Sequence, residues 1–187
     1  MFEQIIRKRQ AKTLKRLCTT PRTKRIENWS CIKTIGIIFN VGNEYDWNTL
    51  YNFVKEQERE NKTVWLIGFQ RNKMVINYIF THPRITICHE KEDFDFFKMP
   101  KKEAVEGFAG HHYDLLIDAT ATPNFYAQYM AAITNADLKV TSQQSMDSTA
   151  DGHTATLPFD LMIRTSTPMQ LSCFFEELVR YLSMIRK

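Results

Sequence analysis

The sequence predicts a single α/β domain, built on a mostly parallel sheet flanked by helices and carrying a basic N-terminal helical arm. Three observations predict it. Thr34–Phe39, Thr63–Phe69 and Asp114–Ala119 are short apolar runs rich in branched side chains, as strands buried on both faces require. Segments of helical period alternate with them, which is the pattern of parallel strands joined by crossover helices. Nine of the 25 Lys and Arg residues but only one of the 21 acids, Glu3, fall within residues 1–25. The basic pI therefore belongs to the arm, and the remaining body is slightly acidic.

The arm and its linker are expected to span residues 1–30 and the domain residues 31–187. Phe2, Ile5, Ile6, Leu14 and Leu17 fall on one side at helical spacing, predicting a helix from Phe2 to about Leu17. Arg7, Lys8, Arg9, Lys12, Lys15 and Arg16 cover most of the rest. Thr19-Thr20-Pro21 ends it, since proline disfavours helix at the residue before it. Arg22 to Ser30 reads as a linker. With few apolar anchors, the arm is expected to be separable from the fold.

The domain opens on the strand Thr34–Phe39 and a loop, Val41–Tyr45. Asp46 is expected to cap a helix through Trp47, Leu50, Phe53 and Val54 to about Glu60. Thr63–Phe69 is the second strand, completing a β–α–β unit. Met74–Phe80 reads as either a helical turn or an irregular strand. Arg84–Cys88 is a third strand, and Phe94, Phe96 and Phe97 are expected to pack under a loop. Pro100 opens a helix of about ten residues. After the strand Asp114–Ala119, Pro123 starts a helix through Tyr126, Tyr129, Met130 and Ile133, and Ala136–Thr141 is another strand. Residues 142–157 form a long polar connection. Phe159–Arg164 is the last strand. Thr167, Pro168 and Gln170 form a capping box for a final helix with Leu171, Phe174, Phe175, Leu178, Leu182 and Ile185 on one face. The alternation is Rossmann-like.

The sequence excludes more chemistry than it supplies. Neither GxGxxG nor GxxxxGKS occurs, so no phosphate cradle is expected. No GxSxG elbow is present. The cysteines, 18, 31, 88 and 173, form no CxxC pair and read as ordinary reduced side chains. His111 and His112 are neighbours whose side chains leave a strand on opposite faces, so no metal site is expected from the pair, with or without Asp114. No apolar run approaches the roughly 20 residues of a membrane span, and the start lacks the apolar stretch of a secretory signal. The expected location is the cytoplasm.

Open parallel sheets bind ligands beyond the carboxyl ends of their strands. That rule selects Asn40, Gly42 and Asn43 after the first strand, Gln70 and Arg71 after the second, and Asp118, Thr120 and Thr122 after the fourth. It also selects Thr141 to Ser145, Ser142 among them. Asp118 either binds a ribose or acts as a base, or it satisfies backbone donors in a tight turn. The leading expectation is a non-enzymatic binding or interaction module. The alternative is a small-ligand binder or enzyme, for a nucleotide or nucleotide sugar, using these loops; a structural role in a larger assembly is a third reading. The arm residues Arg7, Lys8, Arg9, Lys12, Lys15 and Arg16 suit a polyanion, either nucleic acid or an anionic membrane surface, or form a solvated tail. Nucleic acid would be held through phosphates, since Phe2 is the one aromatic before Trp29. A membrane would bury Phe2, Ile5 and Ile6.

A further pattern runs along the chain: Ile35–Asn40, Asp46-Trp47, Leu50–Phe53, Tyr113–Asp118, Phe159–Ile163 and Tyr181–Ile185. It resembles a family of short bacterial proteins known only as a domain of unknown function, which implies a Rossmann-like fold and no activity. Trp47–Gly68 and Ile133–Thr141 are also similar to segments of heptosyltransferase-type (GT-B) glycosyltransferases. Those enzymes follow the second segment with Asp-Ser-Gly, where this chain has Ser142-Gln143-Gln144-Ser145, and they use two Rossmann-like domains. That likeness implies a shared fold ancestry more than transferase activity.

Overall fold

A computed structural model of the chain describes residues 2–19, 21–71, 78, 82–120, 122, 124–142, 158–164 and 170–186. Six strands form one sheet: β1 (Thr34–Asn40), β2 (Thr63–Gln70), β3 (Ile85–His89), β4 (His112–Asp118), β5 (Asn135–Ser142) and β6 (Leu161–Ile163). Their order is β3-β2-β1-β4-β5-β6 and every pairing is parallel. The chain starts at the centre, builds to one edge, then returns beside β1 and builds to the other. This is the doubly wound Rossmann order, with its switch point between β1 and β4.

The central strands β1, β2 and β4 carry unbroken apolar runs because both faces are covered. Ile35, Ile37 and Phe39 pack on one face with α2 (Glu44–Arg59) and α5 (Leu171–Ser183). Ile38, Ile67 and Leu116 pack on the other with α3 (Lys102–Ala109) and α4 (Phe125–Ile133). The glycines Gly36 and Gly68 are required for close approach. A Cβ on Gly68 would lie 2.6 Å from Cζ of Phe39, and one on Gly36 2.9 Å from Cδ1 of Leu116.

Helix boundaries differ from the sequence reading where two capping signals compete. Asn43, not Asp46, caps α2: its side chain accepts the Asp46 N–H at 2.8 Å and donates back to the Asp46 carboxylate at 2.8 Å. The pair is a reciprocal cap, so the helix starts three residues early. Pro100 bridges to Phe94 instead of opening α3, whose N-cap is Lys101. Asn124 caps α4 through the Ala127 N–H at 2.8 Å; Pro123 lies outside the described residues. Gln170 is the N-cap of α5 and makes no side-chain capping bond, while Thr167 and Pro168 lie outside the described residues. Of the Met74–Phe80 segment only Tyr78 is described. Phe94 is buried as expected, but Phe96 is exposed.

The N-terminal helix α1 (Phe2–Cys18) lies against α4, with Ile6 turned inward and buried. The Gln10 amide donates to the carbonyls of Phe97 and Lys98. The following segment is tied to the β5–β6 side of the sheet. The Arg22 guanidinium donates to the carbonyls of Ala136 at 2.8 Å and Asp137 at 3.2 Å and pairs with the Asp160 carboxylate, which Lys24 also meets at 3.0 Å. The Arg25 N–H donates to the Asp137 carbonyl at 3.1 Å. Trp29, in a single 3₁₀ turn (Trp29–Cys31), enters the core against Phe53. Asp160 accounts for the contacts of Arg22 and Lys24: a nearly buried carboxylate needs cations beside it.

Candidate functional site

The switch point brings the end of β1 beside the end of β4. The Ala119 N–H still donates to the Ile38 carbonyl at 2.9 Å, and the Val41 N–H to the Phe69 carbonyl at 2.9 Å. The ladders therefore hold Asn40 and Asp118 in fixed positions. Between them the Asn124 amide donates to the Asn40 side-chain oxygen at 3.4 Å. A cleft of about 110 Å³ opens there, walled by Asn40, Asn43, Asp46, Trp47, Tyr78 and Leu171. The Tyr78 hydroxyl donates to the Gly42 carbonyl across it. Trp47 is almost fully buried, and its indole N–H is without a hydrogen-bond partner among the described residues. Drug-sized ligands and cofactors occupy pockets of roughly 300–1,000 Å³. The described cleft suits something smaller.

Asp118 is turned away from this cleft and into its own turn. One carboxylate oxygen accepts the Thr120 N–H at 2.9 Å and the Thr120 hydroxyl at 2.6 Å; the other accepts the Thr141 hydroxyl at 2.9 Å. Burial pushes the carboxyl up to about 6, and these three bonds offset part of that rise. The arrangement is that of a residue satisfying donors at a tight turn. Thr122 supports the same turn by accepting from the Thr120 hydroxyl at 3.3 Å and the Asn124 amide at 3.4 Å.

Of the strand-end residues selected from sequence, Asn40, Gly42 and Asn43 line the cleft. Asp118, Thr120 and Thr122 form the turn beside it. Arg71 is exposed at the end of β2 and acts electrostatically on Tyr126 of α4, away from the cleft. Ser142 is fully buried at the end of β5, and 143–145 lie outside the described residues. Asp46, Trp47, Tyr78 and Leu171 are among the cleft residues that the sequence reading did not select, and it also missed Asn124, which holds Asn40 from beside the cleft. The capping role of Asn124, just beyond a strand end, is the signal that would have found it.

The cations of α1 divide by helical position. Lys8, Lys12 and Lys15 recur at spacings of four and three, which places them on the side away from buried Ile6, while Arg16 lies on the flank, where it acts electrostatically on Tyr129 of α4. All four are exposed, as is Arg7. Arg9 instead lays its guanidinium over the Phe97 ring, 3.8 Å from the centroid.

A third grouping lies at the amino ends of β4 and β5. His112, Asp114 and Asp137 bring ligand-type atoms within 4.8 Å of one another, with His112 Nε2 3.1 Å from Asp137 Oδ1. Adjacent histidines do not converge, but residues two apart on β4 and a register partner on β5 do. One Asp114 oxygen already accepts the Lys33 and Thr34 N–H groups at 2.7 and 2.8 Å, which explains its position structurally.

A family model matches residues 3–185, from the first turn of α1 to the last turn beyond α5. The chain belongs to DUF6913, a family of unknown function. The DUF6913 match includes α1, so the basic helix and the sheet fall within one family unit. No curated protein and no solved structure matches the chain. The likeness to heptosyltransferase-type enzymes thus has no support from these comparisons.

Proposed function

We propose that this protein is a non-enzymatic binding module that takes a phosphate-rich polyanion on the outward side of α1. One observation carries this reading. The helix is anchored to the domain through Ile6, Gln10 and Arg9, while Lys8, Lys12 and Lys15 face out together and exposed Arg16 flanks them. A mobile basic tail presents charge in every direction; an anchored helix presents it as an oriented patch. Among the described residues no helix is long and apolar enough to cross a membrane. All four cysteines are free, which suits a reducing compartment, and we place the protein in the cytoplasm.

The test compares the full chain with a Lys8→Glu/Lys12→Glu/Lys15→Glu variant on duplex DNA, single-stranded RNA and anionic vesicles. The wild type should bind at least one of them at low salt, with affinity falling steeply as salt rises. The variant should bind none. Equal behaviour of the two proteins on all three probes would sink the reading.

A second reading is favoured by the unpartnered Trp47 indole. A buried N–H without an acceptor is costly, and a ligand whose entry opens the cleft to the enclosed Nε1 would satisfy it. Asp46 in the wall disfavours an anion and the volume disfavours a nucleotide, so the occupant would be a small uncharged hydrogen-bond acceptor. A thermal-shift screen of such compounds tests it: at 100 times Kd a ligand stabilises the fold by about 2.7 kcal/mol. Trp47→Phe should abolish that shift.

A further inference from the structure

We propose that the polyanion is an anionic lipid bilayer, and that α1 meets it with its N-terminal end, where Phe2, Ile5 and Phe96 enter the headgroup region. This rests on the polyanion reading above and names its partner. Phe2 is 47%, Ile5 51% and Phe96 71% exposed. The fold brings Phe96 to α1: its ring meets that of Phe2 edge-on, with centroids 4.9 Å apart. Large apolar side chains gathered on the surface and rimmed by charge mark a contact site.

The rim is cationic. Ile5 lies on the same helical stripe as Lys8, Lys12 and Arg16, so an apolar tip continues into a row of cations. The acidic residues near the tip are Glu3 on α1 and Glu90, Glu92, Asp93 and Asp95 ahead of Phe96. Three of them are engaged in building the loop that displays Phe96. Asp93 accepts the His89 N–H at 2.7 Å, Asp95 accepts those of Phe97 and Met99 at 2.8 and 2.9 Å, and Glu90 pairs with Lys98 at 3.3 Å. Glu3 and Glu92 remain as exposed anions against the exposed cations of α1.

A bilayer uses all of these features and a nucleic acid does not. Ile5 has no π face, and Phe2 and Phe96 meet edge-on, with no pair of parallel faces for successive bases. The inner side of α1 is already spent on α4, so the helix cannot lie with a full apolar face in the membrane. Adsorption must then combine two modest signals, the apolar tip and the charge, as reversible peripheral attachment does. Each basic residue near an anionic leaflet strengthens binding about fivefold.

The experiment is co-sedimentation of the full chain with vesicles of phosphatidylcholine alone or with phosphatidylglycerol added, beside binding to duplex DNA and single-stranded RNA. The wild type should bind the anionic vesicles at physiological salt and leave the neutral ones. Ile5→Ser/Phe96→Ser should cut vesicle binding about tenfold while leaving low-salt DNA binding unchanged. Both positions are on the surface, and circular dichroism and thermal melting confirm that the variant is folded. Vesicle binding by the double variant equal to wild type would overturn the proposal. So would wild-type binding to DNA or RNA with no preference for anionic over neutral vesicles, an outcome that leaves the polyanion reading standing. Failure of the wild type on every polyanion at low salt would remove both.

Discussion

The rings of Phe53 and Phe175 are stacked, with 4° between their planes and centroids 4.1 Å apart, and they join α2 to α5 over the sheet. Both are buried. Phe53→Ala and Phe175→Ala should each cost about 3–5 kcal/mol. The double variant should cost less than their sum, with a coupling of about 0.5–1.5 kcal/mol. Urea denaturation of the four proteins closes the cycle. Strict additivity would mean that the two rings merely share a neighbourhood. Leu178, fully buried on the same helix, should cost about 2–5 kcal/mol when cut to alanine.

Asp118 should make stability depend on pH in an unusual direction. Its carboxyl titrates near 3.8 unfolded and at about 6 in the fold, because burial disfavours the anion. Between those values the folded state binds more protons than the unfolded one, so this residue adds stability as pH falls from about 6 towards 4. Its burial penalty is fully present above pH 6. Asp118→Asn keeps an acceptor for Thr120 and removes the charge. The variant should be more stable than wild type at pH 7, and the gap should close by up to about 3 kcal/mol as pH falls to 4. Melting both proteins across that range reads it directly. A gap that does not change with pH would show that the carboxylate is better compensated than its burial implies.

Two truncations should separate the helix from the strap that follows it. Removing residues 1–19 takes away α1 and its contacts with α4 but leaves Arg22 and Lys24 on Asp160. That chain should still unfold cooperatively. Removing residues 1–25 strips both cations from a carboxylate whose side chain is only 7% exposed. The further loss should be about 1.5–3 kcal/mol, the value of hydrogen bonds to a charged group. Equal stability of the two truncations would show that the strap contributes nothing. Asp160→Asn in the shorter chain should recover part of the loss, since it leaves no unpaired charge.

The parts of the fold legible in the sequence are those set by local pattern. The runs at β1, β2 and β4 are apolar without alternation, as two-sided burial requires, whereas β5 alternates Ala136, Leu138 and Val140 with Asp137, Lys139 and Thr141, and the period of α5 is read directly from Leu171, Phe174, Phe175, Leu178 and Leu182. Caps are less legible because Asn43 and Asp46 are both capping residues, and the sequence does not say which stands outside the helix. Asp118 and Thr120 are two residues apart, so their turn was open to inspection. Asn40 and Asn124 are 84 residues apart, and their meeting depends on β1 and β4 being neighbours across the switch point. The pairing of Phe2 with Phe96 is equally hidden, since it depends on where α1 lands on the domain. Helical spacing placed Ile6 beside Ile5 as one apolar edge, whereas burial against the domain divides them, with one facing in and the other out.

The central position of β1 carries a consequence for synthesis. Its first partner, β2, follows within one helix, but its second, β4, comes much later: Thr34 and Asp114, bonded across that seam, are 80 residues apart. A ribosome adding about 5–20 residues per second leaves one edge of β1 unpaired for several seconds. That edge is a run of Ile35, Ile37 and Ile38 with open N–H and C=O groups, the kind of template on which strands of other chains add. A nascent copy on a crowded polysome is therefore most exposed to its neighbours here. Slower translation between β3 and β4, or loss of whatever shields emerging chains, should turn yield into insoluble protein before any change in the stability of the finished fold is seen.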